Sequence, residues 1–358
     1  MTPYEDTLAH LRAHRERWLV TGAAGFIGSH LVEALLRSDQ DVVGLDNFST
    51  GRRENLEDVR RRVEPNDWSR FELIEGDVRE LATCERAVSG VNVVLHEAAL
   101  GSVPRSLADP LSSHASNVDG LVNVLMASYG AQVRRVVFAS SSSVYGDEAA
   151  SPKVEDRTGR PLSPYAVTKL VDEIYADILR RTHGIDSVGL RYFNVFGPRQ
   201  DPNGPYAAVI PCWAERLFAG ETCVLHGDGS TTRDFCFVAN VVQANLLAAC
   251  ARGDALTHRI FNVACGESTT LLELFSAIRQ RVGVFRPSAL EVLPRREPVR
   301  AGDIPHSLAS IARAETCLGY APTHGLREGL DETIRHYARA SASEFPGARV
   351  AQAHEVAL

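Results

Sequence analysis

The sequence lacks any apolar run that approaches the ~18 residues needed by a membrane-spanning helix. Residues 1–17 are mixed in charge and contain no apolar stretch of the kind found in secretory signals. There is no block of basic residues, and 45 acidic side chains outnumber the 38 lysines and arginines, which argues against nucleic acid as the main partner. These absences predict a cytoplasmic protein that binds neither membranes nor nucleic acid.

Paired cysteines are lacking as well. The seven cysteines stand singly, and none has a Cys-x-x-Cys neighbour or a histidine at the spacing of a zinc site. Scattered cysteines of this kind are typical of free thiols in a reducing compartment. We therefore predict no metal site.

The composition itself is that of an ordinary globular protein, with 44% hydrophobic and 23% charged residues. Short apolar runs without polar alternation recur in the first half of the chain, separated by helix-length segments. Such runs indicate strands that are buried on both faces of a parallel sheet. The alternation predicts an α/β fold with a doubly wound parallel sheet, which is a Rossmann architecture. The predicted strands lie at 18–20, 41–46, 71–77, 91–99 and 134–141.

The strand-and-helix pattern loosens after about residue 193, where GPRQDPNGPY (197–206) is rich in turn residues. Strand and helix return at 234–250, and a capping box at Thr270 and Glu273 predicts a further helix. We therefore expect a second, discontinuous unit over the ends of the strands. The predicted parts are a Rossmann domain at 1–192 plus about 234–257, a smaller α/β substrate domain at about 193–233 plus 258–340, and a tail at 341–358.

The strongest local signal is the glycine-rich segment TGAAGFIGSHL (21–31), which follows the first predicted strand and opens a predicted helix. Gly22, Gly25 and Gly28 allow the tight turn and the close approach of the backbone to a pyrophosphate. The helix N-terminus then presents free N–H groups to the phosphates. This spacing predicts a dinucleotide site.

Acidic residues end the next two predicted strands. Asp46 stands where a carboxylate accepts hydrogen bonds from a ribose and repels a 2′-phosphate, which favours NAD over NADP, although Arg52 and Arg53 follow it. Asp77 is either an adenine contact or a solvated carboxylate at a strand end. NAD is therefore the predicted cofactor.

Tyr165 and Lys169 lie four positions apart, on one face of a helix that begins at Ser163-Pro164. A tyrosine hydroxyl titrates near ~10, so a tyrosine that acts as a base at neutral pH needs a nearby positive charge. A lysine ammonium at this spacing supplies one. The serine run SSSS (140–143) ends a predicted strand at the sheet edge where ligands of open α/β sheets bind.

Taken together, these motifs resemble the extended short-chain dehydrogenase/reductase family, and within it the nucleotide-sugar 4-epimerases. Two further segments, GSVPRS (101–106) and AGDIPHS (301–307), resemble the branch that acts on UDP-N-acetylglucosamine. The motifs that carry the resemblance are TGAAGFIGSHL, LDNFSTG, GDVR, HEAA, SSSSVYG, YAVTK, LRYFNVFGPRQ and GDGSTTRDF.

The resemblance implies a redox-neutral inversion at C4 of a UDP-sugar. Tyr165 as tyrosinate removes the O4 proton while hydride passes to bound NAD, and both return to the opposite face. Lys169 holds the nicotinamide ribose, Ser141 aligns with the catalytic serine of the family, and Ser142 beside it contacts the substrate. The implied cofactor residues are Gly22, Gly25, Phe26, Ile27, Gly28, Asp46, Asn47, Asp77, Val78, Ala98, Asn117, Tyr165 and Lys169. The implied substrate residues are Ser102, Ser141, Ser142, Ser143, Tyr165, Asn194, Ala208, Val209, Arg233, Arg300, Asp303 and Ser307.

Substrate choice is predicted from one position. In the family, the residue four places after the Asp of the R-x-G-D segment lies beside the sugar C2 substituent. Here Arg300, Asp303 and Ser307 fit that pattern, so the position holds a small serine that admits an N-acetyl group, although Ser307 is otherwise a turn cap. The family also implies a homodimer. Its apolar contacts would come from Leu121, Val122, Leu125, Ile174 and Ile178, unless these belong to the core of one chain.

Four other functions share the cofactor motif. A sugar-nucleotide 4,6-dehydratase needs an acid and a base before V-Y-G, where this chain has Ser142 and Ser143, and decarboxylating relatives need a glutamate at the second position. A UDP-glucuronate 4-epimerase also carries a serine-rich strand and stays open as an alternative. A non-catalytic NAD-binding protein would be expected to lack Tyr165 or Lys169.

Overall fold

The computed structural model describes residues 1–203, 207–252, 256–298 and 304–344. The predicted substrate residues Arg300 and Asp303 lie outside the described residues, as does the part of the predicted tail beyond residue 344. Within the described part, no helix is long and apolar enough to cross a membrane.

Helices and strands alternate along most of the described chain. The helices are α1 (Pro3–Ala13), α2 (Phe26–Arg37), α3 (Arg53–Arg62), α4 (Pro65–Trp68), α5 (Leu81–Ala87), α6 (Val103–Ala108), α7 (Pro110–His114), α8 (Gly120–Gly130), α9 (Pro164–His183), α10 (Val209–Ala219), α11 (Val238–Cys250), α12 (Leu271–Phe285), α13 (Ala312–Leu318) and α14 (Leu326–Glu344). The strands are β1 (Arg17–Thr21), β2 (Asp41–Asp46), β3 (Phe71–Glu75), β4 (Val93–His96), β5 (Arg135–Ser141), β6 (Ser187–Tyr192), β7 (Val195–Phe196), β8 (Val224–His226), β9 (Thr232–Arg233), β10 (Cys236–Phe237), β11 (Ile260–Val263), β12 (Thr269–Thr270) and β13 (Arg295–Glu297). A single π-helical turn covers Ala115–Asp119, and 3₁₀ turns cover Ser142–Tyr145 and Pro287–Glu291.

Seven parallel strands form the central sheet in the order β11-β6-β5-β4-β1-β2-β3. The strand order reverses next to β1, so the ends of β1 and β4 border a crevice in which open α/β sheets bind their ligands. The predicted Rossmann fold is confirmed.

Helices cover both faces of this sheet. Successive side chains of each strand point to opposite faces, so each strand contributes to both layers of the core. Trp18 and Val20 of β1 pack with the apolar side chains of α2 and α11, whereas Leu19 packs on the other face with α5 and α8. The fully buried Leu121 and Leu125 belong to this second layer, so these two residues form core within one chain.

A separate apolar cluster lies among α10, α12 and α14. Its members include Trp213, Phe275 and Ile334, all less than 5% exposed. Three two-stranded sheets accompany these helices: β7 with β10, β9 with β12 and β8 with β13.

Two features differ from the predicted arrangement of segments. The strand β11, which the sequence assigned to the substrate domain, pairs with β6 as the edge strand of the central sheet. This strand has only four residues, which is too short for its hydrophobic pattern to show to which domain it belongs. Its place in the sheet is stabilised by the burial of Phe261 and Val263 in the main core. Helix α14 also continues past residue 340 to Glu344, so the predicted tail begins inside a helix. The division into two domains stays a prediction.

Candidate functional site

The glycine-rich turn joins β1 to α2 as a close-packed backbone loop. Gly22 has φ +67°, and a Cβ there would meet Ala98 N at 2.9 Å. A Cβ on Gly28 would lie 2.1 Å from Gly22 O, so neither position accepts a side chain. Gly25 caps α2 without a side-chain hydrogen bond, and no acidic residue lies in the first turn. The N–H groups of that turn are therefore suited to an anionic group.

Asp46 closes the turn at the end of β2. One carboxylate oxygen accepts from the N–H of Ala24 at 2.9 Å, and the other accepts from the N–H of Phe48 at 2.8 Å. Burial raises the pKa of Asp46, and the two backbone donors act against that shift. The carboxylate therefore lies in the crevice, where the sequence places a ribose, and also holds the loop in shape.

Asn47 and Asp77 meet at the end of the crevice. The Asn47 side-chain N–H donates to Asp77 at 2.8 Å, and Arg79 pairs with the same carboxylate at 2.6 Å. The hydrogen bond from Arg79 is the main reason that the pKa of Asp77 falls to about 2. Asp77 is therefore ionised and paired at neutral pH.

One cavity runs along this crevice and contains most of the predicted cofactor residues. Gly22, Gly25, Phe26, Ile27, Gly28, Asp46, Asn47, Asp77, Val78 and Ala98 all line it. Asn117, Tyr165 and Lys169 are not among the residues that line it. Asn117 supports the wall instead, since its side-chain oxygen accepts from the N–H of Leu100 at 2.7 Å.

The cavity also contains residues that the sequence analysis missed. Arg199 is 5% exposed, and its guanidinium pairs with Glu33 and Asp58. Its Nη1 has no hydrogen-bond partner among the described residues. Arg199 follows β7 and is far in sequence from the glycine-rich turn. The only feature of the sequence that could have predicted its place in the pocket is the GPRQ motif to which it belongs. Other lining residues that were not assigned to the site from the sequence include Ser49, Thr50, Arg52, Asn55, Glu97 and Asp201.

These features fit a dinucleotide such as NAD. Glycines that cannot take a Cβ leave room for a pyrophosphate at the start of α2, and the cationic residue Arg199 lines the same cavity. The Asp46 carboxylate at the other side of the turn suits ribose hydroxyls and disfavours a phosphate there.

Glu97 lies in the wall of this cavity, next to Tyr192. The Tyr192 hydroxyl donates to the Glu97 carboxyl at 2.7 Å and accepts from Asn245 at 2.8 Å. Burial raises the pKa of Glu97 to about 8, against the opposing effects of Tyr192 and Lys169. The carboxyl is therefore largely protonated at neutral pH.

Helix α9 carries Tyr165 and Lys169 and begins as predicted. The Ser163 side chain accepts from the N–H of Ala166 at 3.1 Å, and Pro164 occupies the first turn. The N–H of Tyr165 donates to Ser106 Oγ at 3.0 Å, which fixes the start of the helix against α6. Lys169 is 3% exposed, and its ammonium donates to the backbone oxygen of Ala139 on β5 at 3.0 Å.

The serine run ends β5 and turns into a 3₁₀ helix. Ser141 Oγ accepts from the N–H of Ser143 at 3.1 Å, which turns the chain at the edge of the sheet. The Ser143 hydroxyl is buried and has no hydrogen-bond partner among the described residues. Ser142 begins the 3₁₀ turn, so the three serines lie at the carboxyl end of β5. Ala139, whose backbone oxygen accepts from Lys169, lies on the same strand two residues before Ser141.

The remaining predicted substrate residues come from four loops and small strands. Ser102 caps α6 in a positive-φ conformation, and Asn194 donates to the backbone oxygen of Asp234 at 3.2 Å. Ala208 and Val209 stand at the start of α10. Arg233 lies on β9, and the N–H of Ser307 donates to the neighbouring Thr232 oxygen at 3.2 Å, so this pair is brought together.

Comparisons with known proteins show which proteins this chain resembles. The model of the NAD dependent epimerase/dehydratase family matches residues 18–264. A UDP-glucose 4-epimerase of Mycolicibacterium smegmatis is 41% identical over 323 residues, which cover 90% of this chain and 98% of that protein.

Two solved structures are similar over nearly their whole length. A UDP-N-acetylglucosamine 4-epimerase from Methanobrevibacter ruminantium, in complex with UDP-N-acetylmuramic acid, is 37% identical with a TM-score of 0.82 and covers 91% of this chain and 99% of its own. A UDP-glucose 4-epimerase from Thermus thermophilus, in complex with NAD, is 35% identical with a TM-score of 0.77 and covers 90% and 98%.

Proposed function

Since this chain belongs to the NAD dependent epimerase/dehydratase family, we propose that its Tyr165 site interconverts UDP-N-acetylglucosamine and UDP-N-acetylgalactosamine. The enzyme is an NAD-dependent UDP-sugar 4-epimerase, and the preference for N-acetylated sugars is the finer part that we propose. We expect UDP-glucose and UDP-galactose to be poorer substrates.

The cofactor would be held by the glycine-rich turn at its pyrophosphate and by Asp46 at its adenosine ribose. Lys169 would hold the nicotinamide ribose. NAD, when bound, supplies the acceptor and then the donor of the C4 hydride. Asp77 and Val78 would border the adenine, and Arg199, which lines the same cavity, would add positive charge near the phosphates.

Proton transfer is assigned to Tyr165. Its hydroxyl, as tyrosinate, takes the O4 proton of the sugar and returns it after the sugar has turned over. The buried Lys169 ammonium favours the ionised form of Tyr165, because an opposite charge nearby stabilises it. Ser141 accepts a backbone N–H, so its own hydroxyl hydrogen is available to bond O4. Ser142, Ser143 and Ser102 would contact the sugar.

The nucleotide half of the substrate needs a cation and a shallow wall. Arg233 would neutralise the diphosphate, together with Arg300, while Asp303 would hold the uridine ribose. Ala208 and Val209, at the start of α10, and Asn194 would approach the nucleotide and the sugar. These assignments follow from the family motifs and, for the described residues Asn194, Ala208, Val209 and Arg233, also from their positions in the fold.

The observation that supports the N-acetyl preference is the small Ser307. It is partly buried, and its backbone is fixed to Thr232, one residue from Arg233. A serine leaves space beside the C2 substituent that a bulky aromatic residue would fill. This space would explain why the pocket admits an N-acetyl group. The preference for N-acetylated sugars over UDP-glucose would come from contacts with Ser102, Ser142 or His306.

A UDP-glucuronate 4-epimerase is the second candidate, since such enzymes also carry a serine-rich strand like residues 140–143 of this chain. The substrate is tested by incubating the protein with UDP-N-acetylglucosamine, UDP-glucose and UDP-glucuronate in parallel and following C4 inversion by proton NMR. The proposal expects the highest kcat/KM for the N-acetylated sugar. Faster turnover of either other sugar would contradict it.

We also propose that the enzyme is a homodimer. On α9, Ile174, Tyr175 and Ile178 are 58%, 42% and 38% exposed, and together they form an apolar surface next to α8. A second copy of the chain would cover this surface around a two-fold axis, the commonest symmetry of homo-oligomers.

A further inference from the structure

Lys169 and Asp172 form a buried ion pair on α9, one to two turns after Tyr165. The Lys169 ammonium lies 3.2 Å from Asp172 Oδ2, one turn further along α9. The lysine side chain is 4% exposed and the aspartate side chain 2%. Neither the sequence motifs nor the mechanism above uses this carboxylate.

The geometry restricts where the ammonium can point. An ammonium has three N–H donors. One donates to the Ala139 oxygen on β5 at 3.0 Å and a second to Asp172 at 3.2 Å, so one N–H remains for a further acceptor. Asp172 Oδ1 is buried and has no hydrogen-bond partner among the described residues, so the carboxylate is committed to Lys169.

Electrostatics points the same way. Burial lowers the pKa of Lys169, but Asp172, Tyr165 and Glu97 more than offset this, and the net shift is upward. Burial raises the pKa of Asp172 to about 6, against the opposing effect of Lys169. The other titratable groups that face the pair are Glu173, His114 and His96.

We propose that Asp172 is a positioning residue of the epimerase: it fixes the Lys169 ammonium against β5 and limits how much of its positive charge reaches Tyr165. The inference rests on the proposed role of Tyr165 as the base. A carboxylate next to a lysine cancels part of the lysine's field, whereas an amide keeps the acceptor and leaves the full positive charge.

Asp172→Asn therefore has a defined electrostatic consequence. Removal of one negative charge favours the deprotonated forms of both Tyr165 and Lys169. In a bell-shaped profile of kcat/KM against pH, the acid and alkaline limbs should both move to lower pH, by on the order of one unit. A residue that only supports the fold would lower kcat and leave both limbs in place.

The experiment compares the wild-type holoenzyme with Asp172→Asn and with a matched control, Asp177→Asn. Asp177 lies on the same helix, but its side chain is 51% exposed and pairs with Arg180 and Arg181. We expect the control to keep the wild-type profile. Limbs that stay in place in Asp172→Asn would overturn the inference.

A second measurement does not depend on turnover. The tyrosinate absorbance of Tyr165 is obtained as the difference between each protein and the same protein with Tyr165→Phe, titrated over pH. In Asp172→Asn the Tyr165 transition should move to lower pH by about one unit, and an unmoved transition would overturn the inference. Asp172→Ser removes the same charge and replaces Asp172→Asn if that variant does not fold.

The two measurements separate this inference from the proposed function. If the wild type epimerises no UDP-sugar, the proposed function fails, and the absorbance titration still decides whether Asp172 controls the charge at Tyr165. If the wild type epimerises and neither the limbs nor the titration moves, only the role of Asp172 fails.

Discussion

The side-chain amide of Asn117 donates to Thr168 Oγ1 at 2.9 Å and ties the π-helical turn before α8 to the helix that carries Tyr165 and Lys169. Its oxygen accepts from Leu100, which lines the dinucleotide cavity. One buried asparagine therefore links the wall of this cavity to the helix that carries Tyr165 and Lys169. We expect such a link to keep the hydride and proton sites in register.

Tyr165→Phe removes only the ionisable hydroxyl. Since general acid–base groups typically contribute on the order of 10²–10⁴-fold, epimerisation should fall by at least that lower factor. Bound NAD, measured by absorbance after denaturation, should be unchanged. Tyr129→Phe, at an exposed position on α8, is the control. Activity within threefold of wild type would remove Tyr165 from the mechanism.

Asp46 should select NAD, and the protein should be active without added cofactor. Calorimetric titration of protein freed of cofactor should show weaker binding of NADP, because the buried carboxylate repels a 2′-phosphate. Asp46→Asn should narrow the difference, whereas Asp41→Asn, at the start of the same strand, should not. Equal or tighter binding of NADP to the wild type would contradict the assignment.

Ser307→Tyr should cost the N-acetylated substrates most. Overpacking typically costs about 1–3 kcal/mol, and each ~1.4 kcal/mol is tenfold in rate or affinity. Steady-state kinetics measures the effect on UDP-N-acetylglucosamine and UDP-N-acetylgalactosamine, and on UDP-glucose and UDP-galactose. Ser307→Ala, which keeps a small side chain, is the control and should keep the preference for the N-acetylated pair. An equal loss on both pairs would mean that Ser307 is only structural.

The Glu97 carboxyl should make stability fall between pH 6.5 and 8. Burial raises its folded pKa to about 8, so the folded protein keeps a proton that the unfolded chain has lost, and stability decreases as pH rises. The buried His30 and His96, with pKa lowered to about 3, act with the opposite sign, but only below their unfolded value near ~6.5.

The change over that window should be about 1 kcal/mol in the free energy of unfolding. Denaturant titrations at both pH values should show it in the wild type and in Glu85→Gln, an exposed control on α5. In Glu97→Gln the change should be much smaller. A wild type that is as stable at pH 8 as at pH 6.5 would contradict this account.

Ile174→Lys should disperse the proposed dimer. A stable interface buries at least ~1,200 Å² in total, and a charge at its centre opposes burial. Light scattering should give the mass of one chain for this variant. The control is Val284→Lys, at a 72% exposed position on α12, and it should keep the mass of two chains. A wild-type mass of one chain would refute the dimer.

Local signals predicted what local chemistry determines. The glycine turn, the Ser163 cap and the capping box at Thr270 and Glu273 form as expected, because each depends on neighbours within a few residues.

Long-range partners were beyond the sequence. The place of β11 follows from pairing with β6, and Arg199 enters the cofactor cavity through ion pairs with Glu33 and Asp58 on α2 and α3. Asp172 sits at an ordinary helical spacing from Lys169, and only the burial of both side chains separates it from a solvated surface pair.

The most direct test of the account uses UDP-N-acetylglucosamine with deuterium at C4, incubated with the purified protein and an excess of added unlabelled NAD. A 4-epimerase that oxidises and reduces its substrate within one closed pocket must return the same deuteride. We predict UDP-N-acetylgalactosamine that retains deuterium at C4, read by proton NMR and mass spectrometry. Absence of the C4 epimer, or a product that has lost the deuterium, would contradict the account.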